Sequence, residues 1–337
     1  MNSQDITRAL IDTTVARAMV EMDADPKRSV RKLCDLGRQF SRGRFQNQIF
    51  AIFQDLLRND ESPYYQAIDF LLRSNDPEAL RQFGINIGYN SFTYGAQILR
   101  QKQKELSFAV PWVVKLRLDS RIPDTYDSSF FASVVRTGLT YGIYSYQLRS
   151  MDHHEDMESY LAVIQSHPEC AFLWFLSDTP LTEKQQKLLL SCPNLMVSLP
   201  IDAPSTASMA KALRRQKTLF GMHKVYQDAD AAAYLLSFDH LYSQMVFFFL
   251  VADDSCSKES IRAVSDVVQQ YRFTPIQPFF PIEVQEDSRK IEQIIPANPA
   301  YLLLLPDHMA RTLDTPTVSF EELSLRNIFY RELLADA

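Results

Sequence analysis

The chain has 337 residues, 46% of them apolar and 23% charged, and a formal net charge of −6. That is enough apolar chain for a large core, in one α/β barrel of about 250 residues or in roughly two domains. The acidic balance excludes the basic footprint of whole-surface nucleic-acid binding, and 8 glycines with neither a GxGxxG nor a GxxxxGK pattern exclude the usual phosphate-cradling loops.

The first hundred residues read as helices. "DITRALIDTTVARAMVEM" (5–22) repeats apolar residues at helical spacing. Asp25-Pro26 opens a helix over 25–42. Phe45, Ile49, Phe53 and Leu57 form one apolar stripe in 45–60, and Pro63 and Pro77 open further helices over 63–74 and 77–106. Within the last of these, "FGINIGYNSFTYGA" carries Gly84, Gly88 and Gly95 at steps that let a helix approach its neighbour closely. The texture changes at Phe108. Apolar strand-like runs follow at 111–118, 141–148, 171–177, 195–201, 220–226, 245–252, 273–280 and 300–306, with amphipathic segments between them.

Strand–helix alternation of this kind predicts βαβ units and a parallel sheet covered on both faces. The expected architecture is α/β: a helical N-terminal domain (1–106) followed by a TIM-like full or partial barrel of six to eight βα units (107–337). A doubly wound open parallel sheet is the alternative. No apolar run reaches the roughly 18 residues of a membrane span. The N-terminus contains acids and lacks a signal-peptide core, which predicts a cytoplasmic protein.

Ligand sites of such barrels lie at the carboxyl ends of the strands. Lys115 or Arg117, with Asp119, Arg149, Asp178, Asp202, His223 and Asp253, fall at or near successive strand ends and could line a polar mouth. The plainer reading is that these residues cap helices and pair with one another. Thr182 with Gln185 fits a capping box, and Asp253-Asp254-Ser255 an N-cap. His153 and His154 among acids could meet on a metal only in a loop, and no metal is expected. The cysteines, Cys34, Cys170, Cys192 and Cys256, are too far apart for a chelating motif and read as packed thiols. The basic run 27–44 reads as a solvated helix face, with an anion or RNA patch as the other reading. No catalytic constellation such as GxSxG or HExxH is present.

The order of these elements, with "FGINIGYNSFTYGAQ" leading into "VPWVVKLRLDS", resembles a subset of the radical S-adenosylmethionine proteins. Further points of likeness are "GLTYGIYSYQLRS", "HPECAFLWFLSDTPLTEKQQKLLLSCPNLMVSLPIDAP", "AKALRRQKTLFGMHKVYQDAD" and "YRFTPIQPFFPI". The resemblance implies a partial barrel whose first loop carries CxxxCxxC, three thiolates for a 4Fe–4S cluster with one iron open to the cofactor. Here that loop is "DSRIPDTYDS" (119–128). Arg149-Ser150-Met151-Asp152 stands where the family has GGEP, Ser177-Asp178-Thr179 where it has TNG, and "SLPID" where it has SidG. Hard oxygen donors do not replace thiolates.

The expectation is therefore a non-catalytic, degenerate member of that scaffold with no cofactor, binding another protein or a polar small molecule. A cluster-independent enzyme acting at the barrel mouth and a regulatory module using the basic run are the alternatives.

Overall fold

The computed structural model describes residues 3–22, 25–40, 51–106, 109–122, 126–152, 156–233, 245–296, 300–306, 308–312 and 317–319. The fold is α/β, with a helical N-terminal region followed by the alternating strands and helices of a partial TIM-like barrel. The N-terminal helices are α1 (Ser3–Met22), α2 (Pro26–Phe40), α3 (Pro63–Ser74) and α4 (Pro77–Ile85). A π-helix (Asn86–Gly95) and α5 (Ala96–Glu105) continue from α4. The strands are β1 (Val113–Leu118), β2 (Ser145–Ser150), β3 (Ala171–Phe175), β4 (Leu195–Pro200), β5 (Phe220–Tyr226), β6 (Phe247–Ala252), β7 (Phe280–Glu283), β8 (Leu302–Leu305), β9 (Met309–Arg311) and β10 (Val318–Ser319). Between them lie α6 (Ser128–Tyr141), α7 (Met157–Ser166), α8 (Glu183–Leu189), α9 (Thr206–Arg215), α10 (Lys258–Phe273) and α11 (Val284–Glu292). No described helix is long and apolar enough to cross a membrane.

The chain divides into two compact units, Met1–Arg81 with Ala210–Ser288, and Gln82–Met209 with Arg289–Ala337. In the second unit β8, β1, β2, β3 and β4 lie side by side in that order, and their pairs β8–β1, β1–β2, β2–β3 and β3–β4 are parallel. The antiparallel strands β9 and β10 extend the β8 edge. In the first unit β5, β6 and β7 are parallel neighbours. A doubly wound sheet reverses its strand order at a switch point. Here each run advances one way and β8 returns beside β1, as in a barrel.

Two boundaries differ from the sequence pattern. The run 141–148 yields a strand only from Ser145, because α6 persists to Tyr141 and Gly142 caps it with φ +88°. The run 273–280 is not a strand: Phe273 ends α10, and β7 begins at Phe280. Pro275 and Pro278 cannot donate to a ladder. Residues 41–50, which include the first six of the expected 45–60 stripe, lie outside the described residues.

In the first unit, Val30, Leu57, Tyr64 and Tyr65 form a core with Phe280, whose ring stacks on Tyr64 at 4.5 Å. The basic run of α2 is drawn onto neighbouring acids: Lys32 pairs with Glu21, Lys27 approaches Glu61, and Arg31 bonds Asp60 and the Tyr65 hydroxyl.

In the second unit, the π-helix is pinned to the entry of β3. Buried Asn86 donates from Nδ2 to the carbonyls of Pro168 (2.8 Å) and Cys170 (2.7 Å). Asn90 donates to the Glu169 carbonyl and to Asn86 Oδ1. Of the three glycines in this segment only Gly95 makes a close approach, against Gly142. A Cβ on Gly84 or Gly88 would meet nothing within 4 Å, so close packing does not explain those two. Asn86→Ala removes the buried bond to the Cys170 carbonyl, one of the two bonds to the Pro168 carbonyl and one of the two made by the Asn90 amide. It should lower stability by about 2 kcal/mol, readable as a shifted urea midpoint at unchanged m-value.

Candidate functional site

The strands of the second unit sort their side chains by face. Val114 and Leu116 on β1, Tyr146 and Leu148 on β2, and Phe172 and Trp174 on β3 share one face by register. They are buried against the helices: Phe131 of α6 meets Tyr146 and Phe172 edge-on, and Tyr160 of α7 meets Trp174. The opposite face carries Lys115, Arg117, Gln147 and Arg149, with Lys115 opposite Gln147 and Arg117 opposite Arg149. Side chains alternate along a strand, so the K-x-R of β1 and the Q-x-R of β2 all point one way.

Beyond the strand ends, the loops after β1 and β2 are tied together. Buried Asp119 accepts from Arg121 through both oxygens at 2.7 Å, and this guanidinium holds its carboxyl below the usual range. Asp152 accepts from the Ser120 amide (3.0 Å) and hydroxyl (2.6 Å), and lies 3.8 Å from Arg121 Nε. The Met151 amide donates to the Leu118 carbonyl. Asp119, Arg121 and Asp152 thus close a charged clasp across the carboxyl ends of β1 and β2.

Lys115 sits deeper, 7% exposed, with its ammonium 4.9 Å from the centre of the Tyr301 ring. Glu292, at the end of α11, is 1% exposed, and its Oε1 has no hydrogen-bond partner. Burial pushes its pKa up to about 7, against the attraction of Lys115 and Arg289. Nothing in the sequence around Glu292 or Tyr301 marked either residue. They reach Lys115 from nearly two hundred residues away.

The remaining mouth candidates fall elsewhere. Asp178 and Asp202 are exposed, in the loops after β3 and β4. His223 and Asp253 belong to the other unit. His223 is 3% exposed and lies mid-strand on β5, paired with Phe249, short of the strand's carboxyl end. Asp253 accepts from the Ser255 amide and hydroxyl, while the cap of α10 is Ser257. Thr182 and Gln185 form the capping box at α8. The first unit also holds a pair with no sequence signal, buried Glu283 accepting from the Tyr226 hydroxyl at 2.8 Å. Glu283 also accepts from the Glu286 amide at the start of α11.

The thiols are held protonated. Burial lifts Cys170 well above its ordinary range and pushes Cys34 and Cys192 up to about 11. Burial and the carboxylates of Glu283, Asp228 and Asp253 raise Cys256. Metal binding and nucleophilic attack both need the thiolate, which these surroundings disfavour. Among the described residues no three His, Cys, Asp or Glu side chains are grouped to hold a metal. His153, His154 and Glu155 lie outside the described residues.

No family model and no curated protein matches the chain. Among solved structures it is similar to SuiB of Streptococcus suis bound to S-adenosylmethionine, at 11% identity and a TM-score of 0.47, over 70% of this chain and 67% of that one. SuiB bound to its precursor peptide SuiA matches at 11% identity and 0.48, over 70% and 69%. A further SuiB structure matches at 10% identity and 0.46, over 88% and 77%.

Proposed function

We propose that this chain is a binding protein on a radical S-adenosylmethionine-like frame that assembles no iron–sulfur cluster, and that its half-buried polar face receives a polar ligand. The observation that carries this reading is the clasp at the end of β1. Where the resemblance places three thiolates, the chain offers Asp119, Ser120 and Arg121, and both oxygens of Asp119 are engaged by a guanidinium. Carboxylate, hydroxyl and guanidinium do not make a site for a cluster whose irons take thiolates. The donor set does not fit the group, and no step is derived through it.

The alternative partner surface, the basic run of α2, is a weaker candidate because its cations already face Glu21, Asp60 and Glu61.

Anaerobic reconstitution with iron and sulfide tests the reading. The expected result is no charge-transfer absorbance at roughly 400 nm and no retained iron after desalting. A cluster bound at one per chain would overturn it.

A further inference from the structure

In the first unit β7 ends the run of strands, and among the described residues β6 is its one neighbour. A strand in that position offers unpaired amides and carbonyls to any other strand that reaches it. Successive residues turn these groups to opposite sides. The Phe280 amide donates to the Val246 carbonyl, just ahead of β6, at 2.7 Å. Phe280 and Ile282 therefore bond toward the sheet, and Pro281 and Glu283 turn their backbone groups away from it.

Those outward positions are closed one by one. Pro281 has no N–H to offer. Its carbonyl accepts from Arg272, through Nε at 2.9 Å and Nη2 at 2.8 Å. The Glu283 amide donates to Asp287 Oδ2 at 3.2 Å. Arg272 and Asp287 also bond each other, Nη1 to Oδ1 at 3.1 Å and Nη2 to Oδ2. One ion pair, from the last turn of α10 and the first turn of α11, thus covers both an acceptor and a donor of the same edge.

The chain leading into this edge faces solvent. Phe273 and Ile276 are 60% and 64% exposed. Apolar side chains beside an open strand edge invite a second strand, and sheets blunt such edges with proline and charge.

We propose that Pro281 and the Arg272–Asp287 pair form an edge guard, which keeps β7 from pairing with β7 of a second copy of this chain. The second copy is the occupant to exclude because an edge paired antiparallel with itself is two-fold symmetric, so one surface serves both sides. It also gives both copies the same apolar flank to bury. The guard goes beyond the binding reading above and stands or falls without it.

Light scattering behind a sizing column, on the full chain over a wide range of concentration, tests the guard. Arg272→Leu combined with Asp287→Ala strips it, and the mass should rise with concentration toward about twice that of the wild type run alongside. Arg272→Lys keeps a cation and a donor for the Pro281 carbonyl and should run as the wild type. Association can also follow from lost stability alone. Asn86→Ala, destabilised in the other unit, separates the two causes and should keep the wild-type mass. Circular dichroism confirms that each variant is folded. If the double variant does not accumulate, Asp287→Ala alone decides. It bares the Glu283 amide while Arg272 still reaches Pro281, and should associate in the same direction but more weakly. The guard is overturned if the folded edge variants keep the wild-type mass at every concentration, or if Asn86→Ala associates as they do.

Discussion

Gly142→Ala should be strongly destabilising, with a loss of about 3–5 kcal/mol. Two independent costs meet at this position. Gly142 ends α6 in the left-handed region, φ +88°, where a side chain adds strain. The space is also filled: a Cβ would lie 2.6 Å from the Gly95 carbonyl oxygen, 2.8 Å from Ile98 Cβ and 3.0 Å from the Leu99 amide. Two of those atoms are backbone and cannot swing aside. Shifting them would disturb the start of α5 and, through Gly95, the end of the π-helix that Asn86 and Asn90 pin to the β3 entry. Gly88→Ala is the matched comparison, because a methyl there meets nothing within 4 Å. It should be neutral or stabilise by up to about 1 kcal/mol. Urea unfolding of both variants reads the contrast. If Gly142→Ala does not accumulate as soluble protein while Gly88→Ala does, the direction is the same. Equal midpoints for the two would refute the packing argument.

How far the fold could be read from the sequence follows from how local each signal was. The strands of the second unit are legible as short apolar runs because most of their residues are buried: all of β8 and all but one residue of β3 and of β4. The register of β1 against β2 has no sequence signal of its own: only the observed pairing of Lys115 with Gln147 and Arg117 with Arg149 puts all four side chains on one face. The capping box at Thr182 and Gln185 lies within four consecutive residues and is legible for that reason.

What failed was non-local. His223 stood in a plausible strand, but only the true end of β5 at Tyr226 shows that it lies inside the strand rather than at the mouth. Asp178 and Asp202 follow strands and are exposed, while Asp152, which no motif marks, is the acid that joins the β1 and β2 loops. Glu292 and Tyr301 had no motif to mark them. Their meaning comes from Lys115, which tertiary structure alone brings to them.

Glu292→Gln should raise stability at pH 8 and leave it nearly unchanged at pH 5. The carboxyl is 1% exposed, and burial pushes its pKa from the usual 4.5 up to about 7, outweighing the attraction of Lys115 and Arg289. Between those values the folded chain retains a proton that the unfolded chain has released. Stability contributed by this group is therefore fully present below about pH 4.5, falls as the pH rises through the window, and stays lost above about pH 7. A shift of this size corresponds to something on the order of 3 kcal/mol. Glutamine keeps the shape and polarity of the protonated acid but does not titrate, so the variant should lack that part of the slope. Urea midpoints of both proteins at pH 5, 6, 7 and 8 decide the matter. The two curves should meet at the acid end and diverge upward, with the variant the more stable. Curves that stay parallel would mean that Glu292 keeps its charge in the folded state and that Lys115 and Arg289 compensate the cost of burying it.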